Sequence, residues 1–469
     1  MPGNVAFIAI HAGAGYHSAP NHQSLKHLIE AAAVQAINEA KSSHDAVRIA
    51  LCLLEVSELT NSGNGSCLTE TGGVECEASV MVGNGSFAAV GAVTGVQNPI
   101  NVAYELVDDR NRLGLIKELG RVRPLVLVGP GAYEFAQSRQ LSVAKPEEMQ
   151  NYQITDDTRS KWRHYTEAIA AHKNGEAAKK RKMEKFAEQQ KKDEKEIQSA
   201  DDSSKLLLEG ISVDGGRGQN TPEKKIIFSL DAEDDKLALL PPVAQHGTIG
   251  AIACDFEGRV SAASSSGGIW MKSPGRLGCS AMMGCGCYAE DGDDEGKHPS
   301  VAASLSGCGE DIMEQLMAAR ACDAMKYYSD PKLSSSSTID GNIPDGNSNS
   351  SMKSIMTRVL VKKVQHTRRI NSQTKKRQHN DSGSSDTLSE DDGLSTGIIA
   401  LKVQPIIDGM KEFKLAFCMA HTAPHFAVGL ASMEGTKISS DSWISMQASN
   451  QKRGTDMVIE EKEFNIQCK

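Results

Sequence analysis

Aromatic residues are scarce: they make up 4 % of the 469 residues, and hydrophobic residues of all kinds only 39 %. So little apolar material cannot turn the whole length into packed core, and a sizeable part is expected to stay solvated. No run of about 20 apolar residues occurs, so no membrane-spanning helix is expected. The start, Met1 to Ala12, lacks the basic segment and long apolar core of a secretory leader. The 11 cysteines are odd in number and scattered, without the paired spacing of a disulfide framework. There is no basic excess either. The formal net charge is −9, which argues against a general nucleic-acid binder. These absences lead to an expectation of a soluble protein inside the cell with reduced thiols.

What is present is unevenly spread. Val5 to Ile10 is a β-prone run ending in the small-residue loop His11-Ala12-Gly13-Ala14-Gly15. Ser24 to Ala40 carries Leu25, Leu28, Ile29, Ala32, Ala36 and Ile37 at helical spacing, and Asp45 to Glu55 reads as a second helix. Strand character follows at Gly73 to Val82, Ser86 to Val93 and Leu125 to Val128, then a helical turn at Tyr133 to Ser138. Residues 5–146 therefore read as ordered. Residues 147–247 read as a solvated Lys/Glu-rich helix and a mobile linker. Order resumes abruptly with a strand at Thr248 to Cys254, a turn at Asp255-Phe256-Glu257-Gly258 and a returning strand at Val260 to Ser264. A Ser/Asn/Asp/Lys-rich stretch, residues 333–392, reads as a disordered insertion. Strands return at Gly397 to Val403, Phe413 to Met419 and Phe426 to Met433.

The linker ends immediately before a threonine, in His246-Gly247-Thr248-Ile249-Gly250. A hydroxyl is a weak nucleophile without a base. A threonine at a chain start carries its own base, an α-amine with an ordinary pKa of about 7.7–8.0. Gly247 imposes no Cβ restriction, so the bond before Thr248 can be held in a strained geometry. Attack of the Thr248 hydroxyl on the Gly247 carbonyl would give an ester, and water would then release the new terminus. On its own, a Gly-Thr step is an ordinary turn-to-strand junction; the surrounding motifs decide.

Those motifs are His11 to Ser18; Thr60-Asn61-Ser62-Gly63-Asn64-Gly65-Ser66 with Val74-Glu75-Cys76-Glu77-Ala78-Ser79; and Gly91 to Val96 with Asn98-Pro99. After the threonine come Ser265-Ser266-Gly267-Gly268, Pro274-Gly275-Arg276-Leu277-Gly278, Gly284 to Glu290 and Ser306-Gly307-Cys308-Gly309-Glu310. Together they resemble the asparaginase type-2 family of N-terminal nucleophile hydrolases, and within it the threonine-aspartase (taspase) branch. The resemblance covers roughly residues 5–141, 246–326 and 395–433. It implies an α+β fold, a four-layer αββα sandwich of two sheets flanked by helices. It implies an α subunit of residues 1–247 and a β subunit of residues 248–469, joined as a heterodimer that pairs into (αβ)₂. Thr248 matches the nucleophile. Ser266 lies where the family places a hydroxyl on the nucleophile's terminus, although on its own it reads as a turn residue. Arg276 matches the reader of the substrate carboxylate, and Ser306 and Gly307 match the oxyanion donors. Gly13 is expected to line the site through its backbone. No cofactor is implied, because nucleophile, base and oxyanion hole are all protein groups.

The resemblance also bears on substrate. The family's asparaginases and isoaspartyl peptidases place an aspartate three residues after that arginine, where it pairs with a free α-amine. Here the position is Cys279. A neutral thiol cannot pair an ammonium, so cleavage after Asp inside a protein is expected, with nuclear regulators as implied partners. Gly247 departs the other way, since the taspase branch has Asp before the nucleophile. An asparaginase or isoaspartyl peptidase, and an inactive binding scaffold, are the alternatives. Val213-Asp214-Gly215 and Ile339-Asp340-Gly341 offer further Asp-Gly sites. Cys285, Cys287 and Cys308 lack zinc-site spacing, so no metal is expected. His11 reads as a core or loop histidine. Lys179 to Lys182, and Arg368-Arg369 with Lys375-Lys376-Arg377, could serve nuclear import.

Overall fold

The computed structural model describes residues 4–175, 247–293, 297–327, 352–360, 395–404, 412–448 and 456–467. Asp214, Asp340 and the basic clusters at residues 179–182 and 368–377 lie outside them. The chain divides into two compact units, one of residues 1–162 and 242–469, the other of residues 163–241. Of the second, residues 163–175 are helical.

The larger unit is built from two sheets. The first orders its strands β12-β11-β1-β5-β6-β2-β3-β4. These are β1 (Val5–Gly15), β2 (Cys76–Val82), β3 (Phe87–Val93), β4 (Val126–Val128), β5 (Ile249–Asp255), β6 (Val260–Ser266), β11 (His425–Glu434) and β12 (Lys437–Met446). The second orders β13-β10-β9-β8-β7. These are β7 (Cys287–Glu290), β8 (Ser300–Gly307), β9 (Thr396–Val403), β10 (Glu412–His421) and β13 (Val458–Gln467). The sheets face each other where β5 and β6 pack on β8 and β1 packs on β9. The outer face of the first sheet carries α1 (His22–Glu39), α2 (Ser43–Glu55), α3 (Pro99–Leu113) and α4 (Gly129–Ser138). The outer face of the second carries α6 (Met317–Tyr327), which follows the short α5 (Gly309–Gln315). This is the four-layer αββα sandwich.

Local chemistry accounts for the elements. Every residue of β1 is buried, because a strand covered on both faces needs no polar alternation. The Ser42 side chain caps α2 by accepting from the Asp45 amide. Pro99 opens α3 at a position where no amide is needed, and Gly114 at φ +72° closes it. The inner strands use small residues, such as Val-Ser-Ala-Ala-Ser-Ser-Ser in β6. Small side chains bring the sheets close, and their buried hydroxyls satisfy one another: Ser264 Oγ donates to Ser280 Oγ at 2.9 Å, and Ser62 and Ser265 meet at 2.6 Å.

Two stretches differ from the sequence reading. Order continues past residue 146: the Trp162 indole N–H donates to the Thr69 carbonyl at 2.9 Å, and Thr158 is buried. Within the stretch read as a disordered insertion, residues 352–360 are helical. Met352, Ile355, Met356 and Leu360 enter the core behind the second sheet, at a helical spacing that polar neighbours on both sides conceal. The rest of residues 333–392 lies outside the described residues.

Candidate active site

β1 and β5 run antiparallel with His11 opposite Gly250, which brings Thr248 and Gly247 toward Gly13. There the register of β1 shifts between His11 and Ala14, and Gly13 adopts φ +108°. The two glycine backbones touch. A Cβ on Gly13 would lie 2.5 Å from Gly247 Cα, and one on Gly247 would overlap Gly13 Cα. Only glycine at both positions permits this approach. The bond joining Gly247 to Thr248 is thus pressed against the opening loop, and Thr248 itself is 6 % exposed.

On the other side of β5, Ile249 pairs with Ser265, so one step back sets Thr248 opposite Ser266. The Ser266 hydroxyl accepts from the Gly268 amide at 2.9 Å. That is the local turn bond its sequence context suggested, and it leaves the hydroxyl proton uncommitted. Ser306, at the end of β8 in the facing sheet, is fully buried and accepts from the Ala14 amide at 2.9 Å. Its O–H also remains able to donate. Gly307 follows at φ +153°, and a Cβ there would sit 2.5 Å from the Ser395 carbonyl oxygen. The backbone turn that would present the Gly307 amide therefore requires glycine.

Behind these residues runs a buried polar link that sequence reasoning did not assign. His11 Nε2 meets Ser304 Oγ at 3.0 Å, and Ser304 Oγ donates to the Ala263 carbonyl at 3.0 Å. Burial lowers the His11 pKa to about 3, against an opposing pull from the Thr248 backbone. The ring is therefore neutral near pH 7. His17 Nε2 lies 3.0 Å from the Gly13 carbonyl oxygen, while the His17 amide donates to His425 Nδ1 at 3.0 Å. Apart from the His17–Gly13 contact, these links join partners far apart in the chain, and no local pattern encodes them.

Arg276 stands to one side, with its side chain 16 % exposed. Its Nε donates to Glu310 Oε1 at 2.9 Å, and Nη2 reaches both Glu310 oxygens at 2.7 Å. Glu77, opposite Ser266 in the β2–β6 pairing, is buried near it. The Glu77 carboxylate accepts from the Gly278 amide at 2.5 Å and the Ser280 amide at 3.3 Å. Burial raises its pKa, while Lys272 and the Gly278 amide pull it back down. Cys279 is buried, and burial together with Glu77 pushes its thiol far above the ordinary range, so it is neutral.

The fold thus gathers Gly13, Gly247, Thr248, Ser266, Ser306 and Gly307 at one junction. It sets Arg276 beside that junction through Glu77 and the segment after Gly307. Two cavities, of about 730 and 340 Å³, are lined by other residues, such as Lys353 and Met446 or Leu106 and Phe135. Among the described residues no group of three or more His, Cys, Asp or Glu could hold a metal ion. No described helix is long and apolar enough to cross a membrane.

A double-sheet sandwich with a threonine at the head of a central strand defines the class of N-terminal nucleophile hydrolases. A family profile described as Asparaginase matches residues 4–348, and the chain belongs to this asparaginase type-2 family of hydrolases. It is 29 % identical over 336 residues to an isoaspartyl peptidase of Salmonella typhimurium, covering 69 % of this chain and 80 % of that one. An isoaspartyl peptidase of Escherichia coli is 27 % identical over 331 residues, or 69 % of this chain and 77 % of its own. A plant-type L-asparaginase of Thermococcus kodakarensis is 26 % identical over 341 residues, or 71 % and 84 %.

Proposed function

We propose that this hydrolase matures by cutting its own chain between Gly247 and Thr248 and then acts as a threonine endopeptidase, cleaving proteins after Asp. In maturation the Thr248 hydroxyl adds to the Gly247 carbonyl and the peptide nitrogen leaves as the Thr248 α-amine. Water hydrolyses the resulting ester and frees the Gly247 carboxylate. In turnover the same hydroxyl attacks the main-chain carbonyl of the substrate Asp, and the α-amine takes up its proton. The Ser306 hydroxyl and the Gly307 amide meet the developing oxyanion. The amine fragment leaves with the proton, and water releases the acyl fragment. The Ser266 hydroxyl orients the new terminus, and Arg276 holds the Asp carboxylate.

The observation that carries the endopeptidase reading is Cys279, a buried neutral thiol. It offers no anion to a free α-ammonium, which a residue inside a chain does not have. The relatives' names favour a second reading, hydrolysis of small β-aspartyl amides. Basic clusters in the sequence support work on nuclear proteins, the interleaved strand order supports an αβ heterodimer, and the family resemblance implies its pairing into (αβ)₂.

The test compares wild type with Thr248→Ala, using an Asp-Gly-containing protein and isoaspartyl dipeptides as substrates. Wild type is expected to appear as two chains ending at Gly247 and starting at Thr248, and to cut only the protein. Thr248→Ala is expected to remain one chain without activity. Equal activity in both would refute the nucleophile. Cleavage of the dipeptides alone would select the second reading. Intact masses would also show whether Asp214 or Asp340 is cut.

A further inference from the structure

The arginine assigned to read substrate already holds a carboxylate. Glu310 engages it by Nε and Nη2 at 2.7–2.9 Å, the two-pronged geometry that a substrate Asp would use. We propose that Glu310 is a built-in competitor for substrate: it occupies the Arg276 guanidinium in the free enzyme, and an acidic side chain must displace it to bind. This rests on the reading of Arg276 as the carboxylate reader.

The two acidic neighbours of Arg276 are held very differently. Glu77 is buried and fixed by the Gly278 and Ser280 amides, so it cannot leave. The Glu310 side chain is 54 % exposed, and among the described residues its carboxylate is held by Arg276 alone. It can rotate into water at little cost. Glu75 also faces this corner, with its carboxylate accepting from the Gly275 amide, and Lys272 donates to the Glu75 and Gly267 carbonyls. With Glu310 in place, three carboxylates surround two cations. Adding a substrate carboxylate on top would put further like charge on one guanidinium, which is unfavourable. Exchange for Glu310 keeps the local charge constant. Gly309 makes the close approach possible, since a Cβ there would lie 2.9 Å from Arg276 Nη2. Every substrate that uses Arg276 then meets the same competitor, whereas one that ignores Arg276 leaves Glu310 undisturbed.

The Glu310 end of this pair lies in water, which offsets much of its gain, so removing its charge should lower KM by about two- to five-fold. KM and kcat are measured for a peptide with Asp before the scissile bond in wild type, Glu310→Gln, Arg276→Ala and the double variant. Glu310→Asp, one methylene too short for the two-pronged contact, is a second variant. The proposal expects KM to fall in Glu310→Gln and, less, in Glu310→Asp, with kcat moving less than KM. It expects no fall when Glu310→Gln is added to Arg276→Ala. An unchanged or raised KM in Glu310→Gln would overturn it, as would the same fall without Arg276. Arg276→Ala alone reports on the underlying reading: an unchanged KM there removes Arg276 as the reader, whatever Glu310 does.

Discussion

Gly250 shows how a single absent side chain can serve a site. A Cβ there would overlap both Ser304 Oγ and His11 Nε2. Gly250→Ala must therefore push the His11–Ser304 pair apart, and with it the end of β8 that carries Ser306. Overpacking of this kind costs about 1–3 kcal/mol. The expected outcome is a lowered urea midpoint together with slowed self-cutting, followed by gel and denaturation curves. Ionisable residues set a second expectation. His11 is held at about 3 and His421 at about 4, both mainly by burial. The unfolded chain takes up those protons from about pH 6.5 downward and the folded chain does not, so their stabilisation is full above 6.5 and is lost as pH falls. Glu55 runs the other way. Burial raises it to about 8 against the bonds from Ser265 and Asn98. Its contribution is full below about pH 4.5 and is lost as pH rises toward 8. These groups together place greatest stability near pH 6.5. Urea melts at pH 5, 6.5 and 8 test this, and Glu55→Gln should flatten the alkaline side.

At the scale of elements, the helix over residues 352–360 makes the sharpest prediction. Met356 is fully buried in the core behind the second sheet. Met356→Ala should cost about 2–5 kcal/mol, a loss no disordered insertion would show. Thermal denaturation against a surface control such as Lys353→Ala measures it. The elements that the sequence makes legible are those with plain periodicity, α1 and α2, or with a continuous apolar run, β1 and β5. β8 is not, because Ser-Val-Ala-Ala-Ser-Leu-Ser-Gly lacks β-branched bulk and earns its place only by letting two sheets approach. α3 hides behind its opening Pro99, β12 is diluted by serines, and β13 carries too many charged residues to stand out. The site divides similarly. Thr248, Ser306, Gly307 and Arg276 sit in motifs that can be read along the chain. The Glu310 clamp and the His11–Ser304 link cannot, since their meaning is a contact between distant positions, 34 apart in one case and 293 in the other.

For the whole molecule, the sheet order decides what a cut at Gly247 would do. β1 lies between β11 and β5, and β2 pairs with β6, so strands from before and after Thr248 alternate across the first sheet. The cut fragments should therefore migrate together in gel filtration and unfold in one urea transition. Separation without denaturant would contradict this. The same interleaving also sets a clock. The opening loop is closed by β11, through a hydrogen bond between His17 and His425 that spans 408 positions. A chain growing from its first residue cannot close this loop, which faces Gly247, until β11 has been made. A chain stopped short of β11 is therefore expected to stay uncut at Gly247, which truncation followed by intact-mass measurement would check.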